Sequence, residues 1–201
     1  MTRVTLRERK KASTRERILA AACALFERRG IAAVTVEEIA VAAEVGKGTV
    51  YNYFAAKEDI VVSFLIELDR EALETMALLP ADGMDAAGAL EAAAWSLLEH
   101  KAPYREFVRA FFARTFAPDN FAHETQQFQL LLDTALGALF ERLPLEDAGH
   151  LPAMSREDFV MSFKTMHFGI GAIWIFEGPP FATARALCRR HMALLAKGLE
   201  S

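Results

Sequence analysis

Between residues 46 and 60 the chain reads GKGTVYNYFAAKEDI, which gathers Lys47, Thr49, Tyr51, Asn52, Tyr53 and Lys57 within eleven positions. Each carries a group that hydrogen-bonds phosphate oxygens or base edges: an ammonium, a hydroxyl, a phenol or a carboxamide. A tyrosine hydroxyl donates to phosphate without bringing charge, and an asparagine amide pairs bidentately with adenine in a major groove. Gly48 stands among them, although glycine inside a helix is less stable than alanine by roughly 0.5 to 1 kcal/mol; its use is to let backbone approach another surface. Lys47 and Lys57 each open a helix, where the macrodipole is already positive and a cation is disfavoured by on the order of 0.3 kcal/mol. A phosphate at those helix starts would reverse the sign, since helix N-termini and lysines together form an anion site. The chemistry these residues suit is recognition of a polyanion, with no bond made or broken.

The distribution of charge agrees. The first 61 residues hold 11 Lys and Arg against 8 Asp and Glu, a balance of +3; of 23 and 27 in the whole chain, 12 and 19 remain for the rest, a balance of −7. Residues 1 to 17 concentrate the excess in Arg3, Arg7, Arg9, Lys10, Lys11, Arg15 and Arg17 against Glu8 and Glu16. A basic arm on a basic head with an acidic body is the layout of a polyanion-binding head carried on something else. Catalytic arrangements are missing. His100, His123, His150, His167 and His191 are scattered, the only Glu at three or four residues from any of them is Glu146, before His150 in a loop-like segment, and no phosphate loop or nucleophile elbow occurs. No enzyme activity, cofactor or metal site is expected. Cys23 and Cys188 lack a paired spacing and read as free thiols. Without an apolar leader or an uninterrupted bilayer-length stretch, the expectation is a cytoplasmic protein with no membrane contact.

The elements that must position these residues are all helical, about nine in number, because no sustained alternation or clustered β-branched run marks a strand. The first helix is expected over Thr14 to Arg29, with Ser13 as N-cap, Ile18, Leu19, Ala22, Leu25 and Phe26 on one stripe, and Gly30 as stop. TVEE at 35 to 38 has capping-box spacing and opens a short second helix to about Ala43. After a turn at Glu44, Val45 and Gly46, a third helix covers Lys47 to Phe54, and a long fourth runs from Lys57 towards Leu79. Further helices are expected at 85 to 100, from Pro103 to Phe116, from Asp119 to Arg142, from Ser155 to Phe176 and from Phe181 to Glu200. The second and third form a helix-turn-helix whose second member can lie in a major groove. On that helix Lys47, Tyr51 and Phe54 share one side and Gly48, Asn52 and Ala55 the next, so both cannot be buried; Val50 and Phe54 read as its core contacts.

The segments TRERILAAACALFERRG and TVEEIAVAAEVGKGTVYNYFAAKEDIV resemble the DNA-binding region of the tetracycline-repressor (TetR) family of bacterial transcription regulators over about residues 14 to 62. The resemblance implies an all-α homodimer, with a DNA-binding domain at 1–62 and a ligand-binding and dimerisation domain at 63–201. It implies repression at a near-palindromic double-stranded DNA operator, relieved by a small effector. By the same resemblance Thr35, Tyr51, Tyr53 and Lys57 contact phosphate, while Lys47, Thr49 and Asn52 approach bases. Two positions depart from the family pattern: Glu44 stands where the turn usually carries Gly, and Gly46 where Ser or Thr usually caps the recognition helix.

Past residue 62 the residues speak alone. The 155–176 segment carries Phe159, Phe163, Met166, Ile170, Ile173 and Trp174 around much of a helical circumference, with Gly169, Gly171 and Ala172 between them. A helix apolar on more than one face is buried on more than one face. One face suits the domain's own core. The other, with the last helix (Leu187, Met192, Leu194, Leu195, Leu199), suits a four-helix interface with a second copy. For a mostly apolar effector cavity the candidates are Phe64, Trp95, Phe107, Phe111 and Phe128, joined by Leu131, Met166, His167 and Trp174. The acidic body points to a neutral or cationic ligand rather than an anionic one.

Overall fold

The structure is a computed structural model and describes residues 6–115, 123–145 and 154–200. Among these residues all regular structure is helical, in nine α-helices and one 3-10 turn.

Helix α1 spans Leu6–Arg29. It begins eight residues before the expected Thr14, and Ser13, expected as its N-cap, lies inside it; the intervening LRERKK run consists of strong helix formers, whose summed propensity outweighs one mid-helix serine. Much of the basic arm is therefore helix. Ile18, Ala22 and Phe26 recur at four-residue spacing and are fully buried or nearly so. Gly30, at φ 77°, stops the helix as its N–H returns to Phe26 O at 2.7 Å.

Helix α2, Val36–Ala42, and α3, Lys47–Tyr53, follow, each of seven residues. Helix α4, Lys57–Met76, is the axle of the molecule: α1 lies against its start, and α5 (Ala86–Glu99), α6 (Arg105–Thr115) and α7 (His123–Phe140) against its later turns. It ends three residues short of the expected Leu79. The last carbonyls are closed by three-residue turns, Leu78 N–H to Thr75 O and Leu79 N–H to Met76 O, and the Arg142 guanidinium donates to both Met76 O and Leu79 O. Those donors do the work of another helical turn. Asp85 caps α5 by accepting the Gly88 N–H at 2.7 Å, and a 3-10 turn at Ala102–Tyr104 leads into α6. For the seventh helix, expected from Asp119, residues 119–122 lie outside the described residues.

Helix α8, Arg156–Phe176, starts at the expected Ser155 cap, and α9 covers Ala182–Glu200. Ala86, Ala89, Ala93 and Ala94 give α5 a flat wall onto which α9 closes with Ala184, Cys188, Met192 and Leu195. α8 buries Phe159, Phe163, Ile170 and Trp174, and leaves Met161, Ile173 and Phe176 exposed, the last to 82 %. By length and composition α8 is also apolar enough to cross a membrane, though it packs here on α7 and α9. Phe181 sits at φ 56°, unusual for a bulky residue; its ring is clamped between Trp174, stacked at 5.1 Å, and the Arg105 guanidinium at 5.6 Å.

Candidate nucleic-acid interface and internal cavity

The orientation of α3 is set by two side chains. Val50 and Phe54, 1 % and 2 % exposed, are sunk against α1, α2 and α4, so that Lys47, Gly48, Tyr51 and Asn52 face outward, with Thr49 and Tyr53 half-buried beside them. A Cβ added at Gly48 would meet no atom within 4 Å. Nothing inside the protein therefore requires glycine there, and the open space lies on the outward face. The preceding turn takes the geometry that its family departure implies: Glu44 adopts φ 54°, a left-handed conformation that is unfavourable by about 1–2 kcal/mol for a non-glycine residue. Gly46 serves as N-cap with extended backbone and no side-chain bond, its carbonyl accepting from Thr49 and Val50 N–H.

The charges around α3 have partners inside the chain, which corrects the premise that only an external anion favours lysine at these helix starts. Lys47 forms an ion pair with Glu37 across the helix-turn-helix, with its ammonium 5.9 Å from the Tyr51 ring centre. The Lys47 hydrogen bond holds the Glu37 carboxyl below its ordinary range and raises the lysine. Both groups are exposed, so the pair is screened and readily exchanged. Lys57 is different: its Nζ donates to Ile31 O at 2.9 Å, Val34 O at 3.1 Å and Ala32 O at 3.3 Å, closing the loop between α1 and α2. Thr35, expected at phosphate, spends its hydroxyl on the capping box, accepting Glu38 N–H at 3.2 Å and donating to the Glu38 carboxylate at 2.9 Å. Arg29 bonds the same carboxylate at 2.6 Å and, with Thr35, holds Glu38 down at about 2.

A further brace was not read from the sequence. Arg15 donates to Ser63 Oγ at 2.9 Å while its guanidinium lies 5.2 Å from the Phe54 ring centre, tying α1, α4 and the end of α3 together. Its place inside the basic run hides this role, because in sequence it looks like one more arm cation.

Below the head, α4 to α8 enclose a cavity of about 180 Å³. Of the residues expected to line it, the structure brings together Phe111, Phe128 and His167. The others lie elsewhere. Phe64 and Phe107 stack edge-on at 5.3 Å, with Phe26 and Tyr104 in the same cluster where α1, α4 and α6 meet. Trp95 is buried under the Arg185 guanidinium, and Trp174 under Phe181. Met166 packs on the core without lining the cavity, and Leu131 is 42 % exposed, since both point off the turns whose other faces reach inward. Leu65, Leu97, Leu98 and Phe163 supply much of the apolar wall instead.

The polar part of that wall contains Asp69 and Lys101, an ion pair with side-chain exposures of only 6 % and 12 %. Burial raises the Asp69 carboxyl and Lys101 opposes it. Lys101 also donates to Leu97 O at 2.6 Å, so the cation caps the end of α5. His167 is pushed down to about 3 by burial, with Lys101 adding to the effect, and is neutral near pH 7. Its Nδ1 is buried with no hydrogen-bond partner. Sequence spacing does not reveal the Asp69–Lys101 pair, whose members are 32 positions apart. Among the described residues no group of three His, Cys, Asp or Glu side chains comes together to hold a metal.

Residues 18–64 match the model of the bacterial regulatory proteins of the tetR family. The chain is 26 % identical over 149 residues to the HTH-type transcriptional repressor NicS of Pseudomonas putida, covering 74 % of this chain and 69 % of that protein. It is 36 % identical over 76 residues to the HTH-type transcriptional regulator TcmR of Streptomyces glaucescens, covering 38 % of this chain and 34 % of the relative. Among solved structures, the TetR-family repressor FadR of Thermus thermophilus, in complex with lauroyl-CoA, superposes with a TM-score of 0.73 at 24 % identity over 92 % of this chain and 94 % of that one. GusR of Salmonella enterica superposes with a TM-score of 0.63 at 20 % identity over the full length of both chains. The family model's match ends at residue 64, inside α4, whereas the likeness of fold to FadR extends over 92 % of the chain.

Proposed function

We propose that this chain, whose residues 18–64 match the model of the tetR family of bacterial regulatory proteins, is a ligand-responsive repressor of that family that binds a near-palindromic operator as a dimer. The observation that carries the reading is the course of α4. Its first residue, Lys57, holds the loop that seats α2, and its Val62, Leu65 and Asp69 form one wall of the cavity. From Lys57 to Asp69 is about 18 Å along the axis at 1.5 Å per residue. A molecule filling the cavity pushes on the same rod that orients the DNA-reading helix. An effector shifts the equilibrium only by its preference for one position of that rod, so an inducer is a ligand that favours the DNA-incompetent state.

On DNA, Lys47, Thr49 and Asn52 approach base edges, while Tyr51, Tyr53, Lys57 and the backbone at Thr35 lie towards phosphates. Gly48 gives the clearance. Lys47 exchanges Glu37 for the groove, a small loss for an exposed pair. Lys57 keeps its loop carbonyls and contributes mainly by position. The exposed side chains of Met161, Ile173 and Phe176 on α8, with Leu194 on α9, support a two-fold interface through the last two helices. Such a dimer sets two copies of α3 in successive major grooves, about 34 to 36 Å apart.

Selection from a random duplex pool tests the whole reading. Enrichment of an inverted repeat with half-sites one helical turn apart is expected, together with a dimer by sedimentation. A monomer that enriches no sequence would end the proposal.

A further inference from the structure

The best-known cations of the head are already engaged inside it. Lys57 holds the carbonyls of the 31–34 loop, while Lys47 and Arg29 pair with Glu37 and Glu38. Arg9, Lys10 and Arg17 on α1 are different. All three are exposed, and among the described residues no hydrogen bond or ion pair engages them. Spacing explains why. A helical side chain meets those three and four positions away, and none of those positions around Arg9, Lys10 or Arg17 is Asp or Glu. Glu8 stands three positions from Lys11 instead.

These cations share a side of the helix. Arg9, Ser13 and Arg17 follow at four-residue spacing with Lys10 and Thr14 beside them, and the five line one shallow groove along α1. Arg15, two positions from both Ser13 and Arg17, points the opposite way, to Ser63 Oγ on α4 and over the ring of Phe54, the C-cap of α3. The basic face is therefore turned outward on a helix that is pinned to the end of α3.

Like charges gathered on one face without counter-ions destabilise a helix, and a polyanion reverses that sign. From Arg9 to Arg17 is about 12 Å at 1.5 Å per residue. One strand of duplex DNA presents a phosphate about every 3.4 Å of axis, so the face spans three or four phosphates of one strand. The hydroxyls of Ser13 and Thr14 are of the kind that donates to phosphate oxygens. An anionic membrane fits less well. A helix lying on a bilayer also sinks an apolar face into it, and the apolar face of α1, with Ile18, Ala22 and Phe26, is inside the protein's own core.

We propose that the first turns of α1 form a second DNA contact, a phosphate-binding face that lies along the backbone beside the groove entered by α3 and supplies affinity without sequence preference. This rests on the reading of the helix-turn-helix as a DNA-binding element and adds a site outside it.

Anisotropy titrations of the full-length protein, on an operator enriched from the random pool and on a random-sequence duplex, test it at salt from roughly 50 to 200 mM. The triple variant R9Q/K10Q/R17Q is expected to melt like the wild type and to keep the ratio of operator to random-duplex affinity while both affinities fall. Its salt slope should be smaller by about 2.7 per protomer bound, so that over this range the wild type loses about 40-fold more affinity than the variant. R70Q/R109Q, which removes two exposed cations of the body, should leave the slope unchanged. An unchanged slope in the triple variant, or an equal fall in the body variant, overturns the proposal and leaves the reading of α3 standing. A changed operator preference in the triple variant also overturns it, because the face would then read bases. Binding of the wild type to vesicles of anionic lipid, with no slope difference on DNA, would give the face to a membrane instead. If the triple variant does not fold, R9Q/K10Q should show about two-thirds of the slope change. The random duplex separates the two readings: a slope difference there with no sequence enriched supports the α1 face and removes the operator, whereas a wild type that binds neither duplex ends both.

Discussion

Lys57 and Lys101 are both drawn to backbone carbonyls, yet the two halves of the molecule treat them in opposite ways. Lys57 opens α4 against the helix dipole and is stabilised by three carbonyls of the 31–34 loop, within reach of water. Lys101 follows the end of α5, where the dipole favours it, and is sealed against Asp69. In the head a pair such as Lys47 with Glu37 is exposed, so its partners can be exchanged at small cost. In the body Asp69 and Lys101 are held where neither can leave without stranding the other. An exchangeable surface pair and a sealed internal one follow from the same residue types at different depths.

That contrast breaks first at the buried pair. Asp69→Ala leaves Lys101 buried without its counter-ion and should destabilise the protein by about 3–5 kcal/mol, read by chemical denaturation. An effect as small as that of an exposed ion pair would mean that water reaches the body's charges as freely as the head's.

Next comes His167. Its folded-state value near 3 lies below the ordinary 6.5, so the unfolded chain takes the proton first; the stabilisation is present above pH 6.5 and is lost as pH falls towards 3. Between pH 7 and 5 the wild type should lose about 2 kcal/mol from this source. The raised carboxyl of Asp69 works in the opposite sense, since the folded protein holds that proton more readily as pH falls. Denaturation of wild type and H167F at both pH values isolates the histidine: the difference between them should carry the acid loss.

In the head, the two lysines should separate. Lys57→Ala removes the donor for three carbonyls and is expected to destabilise by about 1–2 kcal/mol. Lys47→Ala should leave the melting temperature where it is, weaken operator binding and relax the sequence preference at the base pair it approaches. If Lys57→Ala melts like the wild type while DNA affinity collapses, its role is at the phosphate and not in the loop. The smallest effect is reserved for the turn. Glu44→Gly relieves left-handed strain and should add about 1 kcal/mol, or roughly 2–4 °C in melting temperature.

The head was almost entirely legible in the sequence. The capping box at Thr35 and Glu38, the Gly30 stop, the burial of Val50 and Phe54 and the strained Glu44 all depend on residues a few positions apart, where helical geometry dictates who meets whom. The reach of α1 was misjudged because one good capping residue, Ser13, was weighed above six helix formers before it. The cavity was harder. Phe111, Phe128 and His167 were found as inward aromatics, but Phe64, Phe107, Trp95 and Trp174 have the same composition and were drawn into other clusters. Periodicity tells that a side chain is buried, not which neighbour it is buried against.

By itself the sequence determined an all-helical chain with a helix-turn-helix head, because caps, stops and apolar stripes act over one or two turns and because the spacing of Lys47, Tyr51 and Asn52 is a property of a single helix. Tertiary structure alone decided what the charges do. It sent Lys57 to the 31–34 loop, paired Lys101 with Asp69 across 32 positions and left His167 Nδ1 buried without a hydrogen-bond partner. Those outcomes depend on how α4 to α8 cross, and burial, which sets the strength of every charge and hydrogen bond, exists only after they have done so.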